Sequence, residues 1–316
     1  TPVAAGLNGL IEGKVDVGGY ELFYTCIGEG GPTVILEAGS GLDSTSWELV
    51  MLYYRKYTRI CAYDRANLGK SDHAPTPRTY QDMARDLHAL VKNAQIESPI
   101  VLVGYSMGGM LVQLYANQYP SSVAGLVLVD SPNPDIGTRL LDALPMEMAG
   151  EEKTLKAWRE YARWMLSSDG RDKFDPERVN NLVSNEQIKA VKSLGDVPLA
   201  VISRSPDNPI VVSFLPSLPG KLNTRLMQLW QDSQAELDGL STNSTRFTAA
   251  HAGHGVPMEE PRLVVDAIRH VVDSYLVDSG MVLPPDPDQA GAGIHAPVIT
   301  GIAEREAWEN GMLVIY

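Results

Sequence analysis

Long apolar runs are missing from this chain. None approaches the ~20 residues that a membrane-spanning helix needs, and mean hydropathy is only -0.11. Cysteine is scarce: Cys26 and Cys61 are the only two, which excludes a disulfide framework and any metal-ligand spacing. Each falls inside an expected strand, so two buried free thiols are expected, with a single bridge as the alternative. Positive charge is also in deficit, 26 Lys and Arg against 39 Asp and Glu, for a net charge of -13. That balance argues against nucleic acid or an anionic membrane as partner, and against an anionic substrate drawn in by long-range attraction. The chain begins at Thr1 with neither an initiator Met nor a signal-peptide pattern. It therefore reads as a processed mature chain or a trimmed piece, soluble, cytoplasmic or secreted, with compartment and oligomeric state left open.

What is present is ample material for a core. In 316 residues, one large α/β domain carrying an insertion fits better than two equal domains. KVDVGGYELFYTCI (14–27) reads as a hairpin around a Gly-Gly turn. TVILEAG (33–39) and RICAYD (59–64) are short strands, each followed by a turn and a helical pattern. In the second of those helices Met83, Leu87, Leu90 and Val91 form the apolar stripe. IVLVG (100–104), GLVLVD (125–130) and PLAVIS (198–203) are continuously apolar, the mark of parallel strands covered on both faces. RFTAA (246–250) is a last strand, and PRLVVDAIRHVVDSYL a last long helix. Residues 135–195 hold no strand pattern and read as a helical insertion. Residues 280–297 read as a Pro- and Gly-rich linker, with a short helix and an edge strand expected beyond it. The expected division is a core of 1–134 and 196–279, a lid of 135–195 and an extension of 280–316.

The strongest chemical signal is Gly104-Tyr105-Ser106-Met107-Gly108, a G-x-S-x-G sequence. Small residues are needed there because a sharp strand-to-helix turn must leave the Ser hydroxyl clear of its surroundings. The motif alone arises by chance in roughly one chain in ten of this length, so context decides. An apolar strand precedes it, a helical pattern follows, and Gly109 keeps the turn uncrowded. The second signal is HAGHGVPMEEP, just past the last strand. A base for Ser106 belongs on such a loop, and His254 fits, with His251 as a structural neighbour. His251-x-x-His254 has no third ligand cluster beside it, so no metal is implied.

Taken together, VILEAGSG with Trp47, CAYDRANLGKSD, GYSMGG, GLVLVDSP and GHGVPMEEP resemble the α/β-hydrolases, in their order and over roughly residues 14–278. The resemblance implies an α/β-hydrolase fold: a mostly parallel central sheet flanked by helices, with a helical lid insertion. It implies Ser106 as nucleophile and His254 as base, with an acid to orient the base. Asp130 is preferred as that acid and Asp207 is the alternative; Arg204 stands where Gly is usual before the latter. The oxyanion hole is expected from the main-chain N–H groups of Met107 and Ser40. In that loop Ala38-Gly39-Ser40 replaces the family's frequent His-Gly. Asp64, Arg65, Gly69, Ser71 and Asp72 read as a structural turn, with Asn67 in a left-handed position. Trp158, Tyr161 and Met165, with Trp164, Met146 and Met148, are candidates for an apolar substrate pocket.

The expected function is a serine esterase that cleaves a neutral or apolar ester without cofactor or metal. Its partner would be the small-molecule ester itself. The alternatives are a lactonase and a proline-iminopeptidase-like aminopeptidase, which would need Glu147, Glu151 or Glu152 in the pocket. A rival of another class is a non-catalytic ligand-binding protein on the same fold.

Overall fold

A computed structural model describes residues 9–168, 177–207, 215–218, 220–283, 306–309 and 312–315. Gly18 and Gly19, both at positive φ, close the first hairpin between β1 (Ile11–Asp16) and β2 (Glu21–Ile27). Asp16 Oδ1 accepts their two N–H groups at 2.6 and 3.0 Å. β3 (Val34–Glu37) leads through a short 3-10 turn into α1 (Glu48–Tyr54), and then into β4 (Ile60–Tyr63). α2 (Tyr80–Asn93) begins at a capping box, Thr79 with Asp82, and buries Met83, Leu87, Leu90 and Val91 as its apolar stripe demands. β5 (Ile100–Tyr105), α3 (Met107–Gln118) and β6 (Val123–Val129) follow.

The insertion contributes α4 (Ile136–Ala143), α5 (Lys153–Trp164) and α6 (Asn181–Lys189) before the chain returns as β7 (Leu199–Ser203). The long α7 (Gly220–Asp238) was not foreseen from the sequence. β8 (Ser244–Thr248), the short α8 (Val256–Glu259) and α9 (Pro261–Asp278) complete this unit.

The eight strands form one sheet in the order β1-β2-β4-β3-β5-β6-β7-β8. β1, β2 and β4 pair antiparallel, and every pair from β4 onward is parallel. All residues of β5, β6 and β7 are buried. Helices cover them on both faces, which is why their sequences do not alternate. Among the described residues no helix is long and apolar enough to cross a membrane.

The expectation of free thiols is corrected, because Cys26 and Cys61 form a disulfide. β2 and β4 place them directly opposite, with Cα atoms 4.0 Å apart and both side chains in one apolar cluster.

The insertion packs in two halves. α4 and α5 share an apolar cluster with α7, built on Ile136, Leu140, Trp158, Leu226 and Trp230. The segment leading into α6 is stitched to the start of α2. Arg78 N–H donates to Arg178 O at 3.1 Å and Asn180 N–H to Arg78 O at 2.7 Å. Tyr80 N–H reaches Ser184 Oγ at 3.1 Å, and Gln81 N–H reaches Gln187 Oε1 at 3.0 Å.

Thr1–Val282 is one compact unit that includes the insertion, and Leu283–Tyr316 is another. In the second unit β9 (Glu306–Glu309) and β10 (Met312–Ile315) pair antiparallel. A short helix and an edge strand were expected beyond the linker; the described residues there, 306–309 and 312–315, are both strand. The expected linker lies outside the described residues, apart from 280–283.

Candidate active site

The turn from β5 into α3 holds Ser106 at φ 53° and ψ -124°. A side chain at positive φ costs on the order of 1–3 kcal/mol and persists only where its surroundings dictate it. Here they do. A Cβ on Gly104 would lie 2.5 Å from Gly108 O, and one on Gly108 would lie 2.5 Å from Glu37 O. Only hydrogen fits, so strand, turn and helix can close on one another. Ser106 N–H is tied to Val129 O at 2.9 Å. Met107 opens α3, and its N–H is among those a helix start leaves without an intrahelical acceptor.

Two further elements meet this turn. His254, on the loop before α8, places Nε2 3.0 Å from Ser106 Oγ and Nδ1 2.6 Å from Asp130 Oδ2. Asp130 follows β6 at φ 45° and is wholly buried. At 2.6 Å a bare Nδ1 and a carboxylate oxygen would repel, so the proton belongs on Nδ1. That leaves Nε2 as an acceptor for the Ser106 hydroxyl. The structure therefore brings Ser106, His254 and Asp130 into one hydrogen-bonded line. Asp207 is exposed in the turn after β7 and its backbone N–H meets Ser205 Oγ at 3.3 Å, while the carboxylate at His254 is that of Asp130. His251 is exposed and directs its backbone N–H to Glu260 Oε1 at 2.5 Å.

Asp130 is gripped more firmly than the sequence suggested. Oδ1 accepts Trp230 Nε1–H at 2.7 Å and Arg204 N–H at 3.2 Å; Oδ2 accepts Arg204 Nε–H at 2.7 Å. Burial alone would push this carboxyl up, but Arg204 and His254 outweigh it and hold it at about 2. Burial pushes the His254 imidazole below its ordinary value, and Arg204 pushes the same way. The hydrogen bond to Asp130 opposes both without offsetting them.

A second buried cluster fixes the loop after β3. Arg65 donates Nε–H to Glu177 Oε1 and NH2 to Glu177 Oε2, both at 2.7 Å. It also reaches Ala38 O at 2.7 Å, Gly39 O at 2.6 Å and Glu37, whose other oxygen takes Tyr63 OH. Glu177 accepts Gly41 N–H at 2.9 Å. The loop carrying Ser40 is thus clamped between a core arginine and an acid from the insertion. Burial pushes Glu37 up, against the pull of Arg65. Ser40 lines the cavity beside Ser106 and Met107, and its hydroxyl has no hydrogen-bond partner among the described residues.

That cavity, about 360 Å³, opens on Ser106 and His254. Its walls are mostly apolar, including Leu42, Met110, Ile136, Tyr161, Trp164 and Met165. Asn181 and Asn185 also face it, each giving one amide N–H to a main-chain carbonyl, Trp164 O at 3.1 Å and Met165 O at 2.8 Å. Of the expected pocket residues, Tyr161, Trp164 and Met165 line it. Trp158 does not: it is 1% exposed in the α4–α5–α7 cluster, with Nε1–H on Pro216 O at 2.9 Å. Met146 and Met148 are 88% and 71% exposed. No carboxylate lines the cavity among the described residues. Glu147 pairs with Arg163, Glu151 with Arg159 at 3.0 Å, and Glu152 is exposed.

Sequence reasoning missed Arg204, Trp230 and Glu177 as site residues. Arg204 carried a signal, being a charge at the end of an apolar strand, but it was read as a departure from pattern. Trp230 and Glu177 reach the site from α7 and from the insertion, and no motif marks them.

The model of the family described as "Alpha/beta hydrolase family" matches residues 34–267. An uncharacterized protein of Bacillus subtilis (strain 168), YqjL, is 26% identical over 246 residues, covering 77% of this chain and 85% of its own. Several further curated relatives are matched over less than half of their own length. Among solved structures, a putative lipase from Acinetobacter baumannii AYE aligns with a TM-score of 0.60 at 18% identity, covering 85% of this chain and 93% of its own. A haloalkane dehalogenase variant from Bradyrhizobium elkanii aligns with a TM-score of 0.63 at 16% identity, over 86% and 99%. At these identities the structural likeness concerns the fold alone.

Proposed function

The chain belongs to the alpha/beta hydrolase family, and on that premise we propose that it is a serine hydrolase cleaving a neutral or apolar carboxylic ester through an acyl-enzyme intermediate. The observation that carries this reading is the unbroken line from Ser106 Oγ to His254 to Asp130. Ser106 Oγ attacks the carbonyl carbon as its proton passes to His254 Nε2. The tetrahedral intermediate collapses, and His254 returns the proton to the departing alkoxide. A water, deprotonated by His254 in turn, then releases the acid and frees Ser106. Main-chain N–H groups of Met107 and Ser40 take the negative charge that develops on the carbonyl oxygen. Asp130 keeps the proton on Nδ1 throughout, so that Nε2 always faces the reaction.

The apolar walls and the absence of a lining carboxylate among the described residues support a neutral substrate, an ester first and a lactone second. They disfavour an aminopeptidase, which needs an acid to hold an α-amine. A ligand-binding protein would have no use for the strained Ser106 turn. Two experiments test the reading together. A fluorophosphonate should add covalently to Ser106, as seen by peptide mass spectrometry, and a panel of p-nitrophenyl esters graded by acyl length should be turned over. Ser106→Ala should lose both. Esterase activity surviving in that variant would sink the proposal.

A further inference from the structure

A guanidinium stands inside the base-and-acid pair. Arg204 follows β7, is 2% exposed on its side chain, and makes three polar contacts to Asp130. Its NH2 lies 2.6 Å from Asp130 Oδ2 and 2.9 Å from His254 Nδ1. With the proton on Nδ1, that last approach is donor against donor and forms no hydrogen bond. It brings a fixed positive charge to the edge of the imidazole. Below the guanidinium lies the Trp230 ring, 4.3 Å from Cζ, whose own Nε1–H is spent on Asp130. The arginine is therefore held from three sides and cannot swing away.

The consequence is one of charge. In an ordinary pair the acid's negative charge is free to stabilise the imidazolium. Here Arg204 works against it, lowering the imidazole while Asp130 raises it. An imidazolium at His254 would form 2.9 Å from a cation, with the shared carboxylate between them. We propose that Arg204 is a positioning residue acting through Asp130 and His254: it fixes the carboxylate's orientation, sets a positive charge against the imidazole's edge, and so keeps His254 an unprotonated acceptor for Ser106 in acidic conditions. The other groups around the ring do not reproduce this. Glu259, from α8, favours the protonated form, as does Asp130. Tyr105 of β5, its ring centroid 5.1 Å from that of His254, is pushed up by burial and stays neutral. Tyr161 of α5 is likewise pushed up, to about 12. Arg204 is the cation among them. In return the base is weaker, so less driving force accompanies proton transfer at neutral pH.

The inference rests on the proposed hydrolase reading for its kinetic effect, but not for its titration. Histidine-labelled protein followed by nitrogen NMR reads protonation and tautomer at His254 directly. The wild-type ring should protonate below its ordinary ~6.5, with the neutral form carrying its proton on Nδ1. Arg204→Met, which keeps an apolar stem and removes the charge, should move protonation up by about 1–3 pH units. The acid limb of kcat/KM on a neutral ester should follow by the same amount. Arg204→Lys keeps a point charge and should hold the limb low, which a merely structural role for the guanidinium would not require. Wild-type protonation at or above ~6.5, an unmoved Met variant, or a Lys variant behaving like Met would each overturn the proposal. If the Met variant does not fold, Arg204→Gln, which removes the charge but keeps hydrogen-bonding groups, is read in its place with the same expected upward shift. The expected titration in a protein without esterase activity would refute the hydrolase reading alone.

Discussion

Asp130→Asn tests the site where sequence left two acids open, and the structure gives it an unusual signature. The carboxylate is wholly buried and every described contact on it is a donor: Trp230 Nε1, Arg204 N, Nε and NH2, and His254 Nδ1. An amide nitrogen at Oδ2 would face Arg204 Nε–H and the Nδ1 proton; flipped to Oδ1, it would face Trp230 Nε1–H. Neither rotamer escapes a clash of donors, and Arg204 is left buried without a counter-charge. Breaking a buried pair from one side costs about 3–5 kcal/mol, and each kcal/mol moves Tm by roughly 2–4 °C in a domain of 150–250 residues. A loss of roughly 6–20 °C is therefore expected. The drop in kcat should be about 10⁴, the loss that the same substitution causes in a serine-protease triad by fixing the wrong tautomer. Asp207→Asn, on an exposed turn, should change stability by less than about 0.5 kcal/mol and leave the rate within tenfold. The double variant Asp130→Asn/Arg204→Met should recover most of the lost Tm and none of the rate. Calorimetry beside p-nitrophenyl ester kinetics reads all three. Because the carboxyl is held at about 2, below its ordinary 3.8, its contribution to stability is complete above about pH 4 and is lost as pH falls through 2. An Asp130→Asn protein with wild-type Tm would refute the buried-pair argument.

Glu177→Gln should lower kcat about 10- to 100-fold with little change in KM, since it loosens the Ser40 loop rather than the apolar walls; an unchanged kcat would detach the insertion from catalysis. Gly108→Ala would bring a Cβ to 2.5 Å from Glu37 O and 2.6 Å from Ala38 O, backbone that cannot yield without moving the loop. Calorimetry should find it about 1–3 kcal/mol less stable, and ester assays should find it nearly inactive. Cys26→Ala with Cys61→Ala removes a crosslink closing 35 residues and should cost about 2–4 kcal/mol in denaturant unfolding, with kcat retained in the folded protein.

The centre of the sheet was legible because β5, β6 and β7 are buried on both faces, and such strands can be written only in apolar residues. Ser106 was legible because backbone strain and close packing force small residues around it, and His254 because it stands on the short loop just past the last strand. The disulfide was not. β2 pairs with β4 across an intervening strand in sequence, so the register that opposes Cys26 to Cys61 is a tertiary fact. Trp158 misled for a related reason: α5 has one stripe facing the cavity and another facing α7, and periodicity does not say which is which. α7 brings Trp230 to Asp130 across 100 residues, a contact that local pattern cannot carry.

The salt bridge from Glu177 to Arg65 means that the insertion is not a module that could be exchanged freely. Transplanting 135–195 from a relative to alter what the pocket accepts would also withdraw the acid that steadies Gly41 and, through Arg65, the carbonyls of Ala38 and Gly39. Selectivity and rate then become one trait rather than two. A chimera lacking a carboxylate at the position of Glu177 would be expected to read as catalytically poor even where its new walls suit the new substrate. Engineering of this protein would do better to vary α4 and α5, whose packing runs to α7, and to leave the approach to α6 untouched.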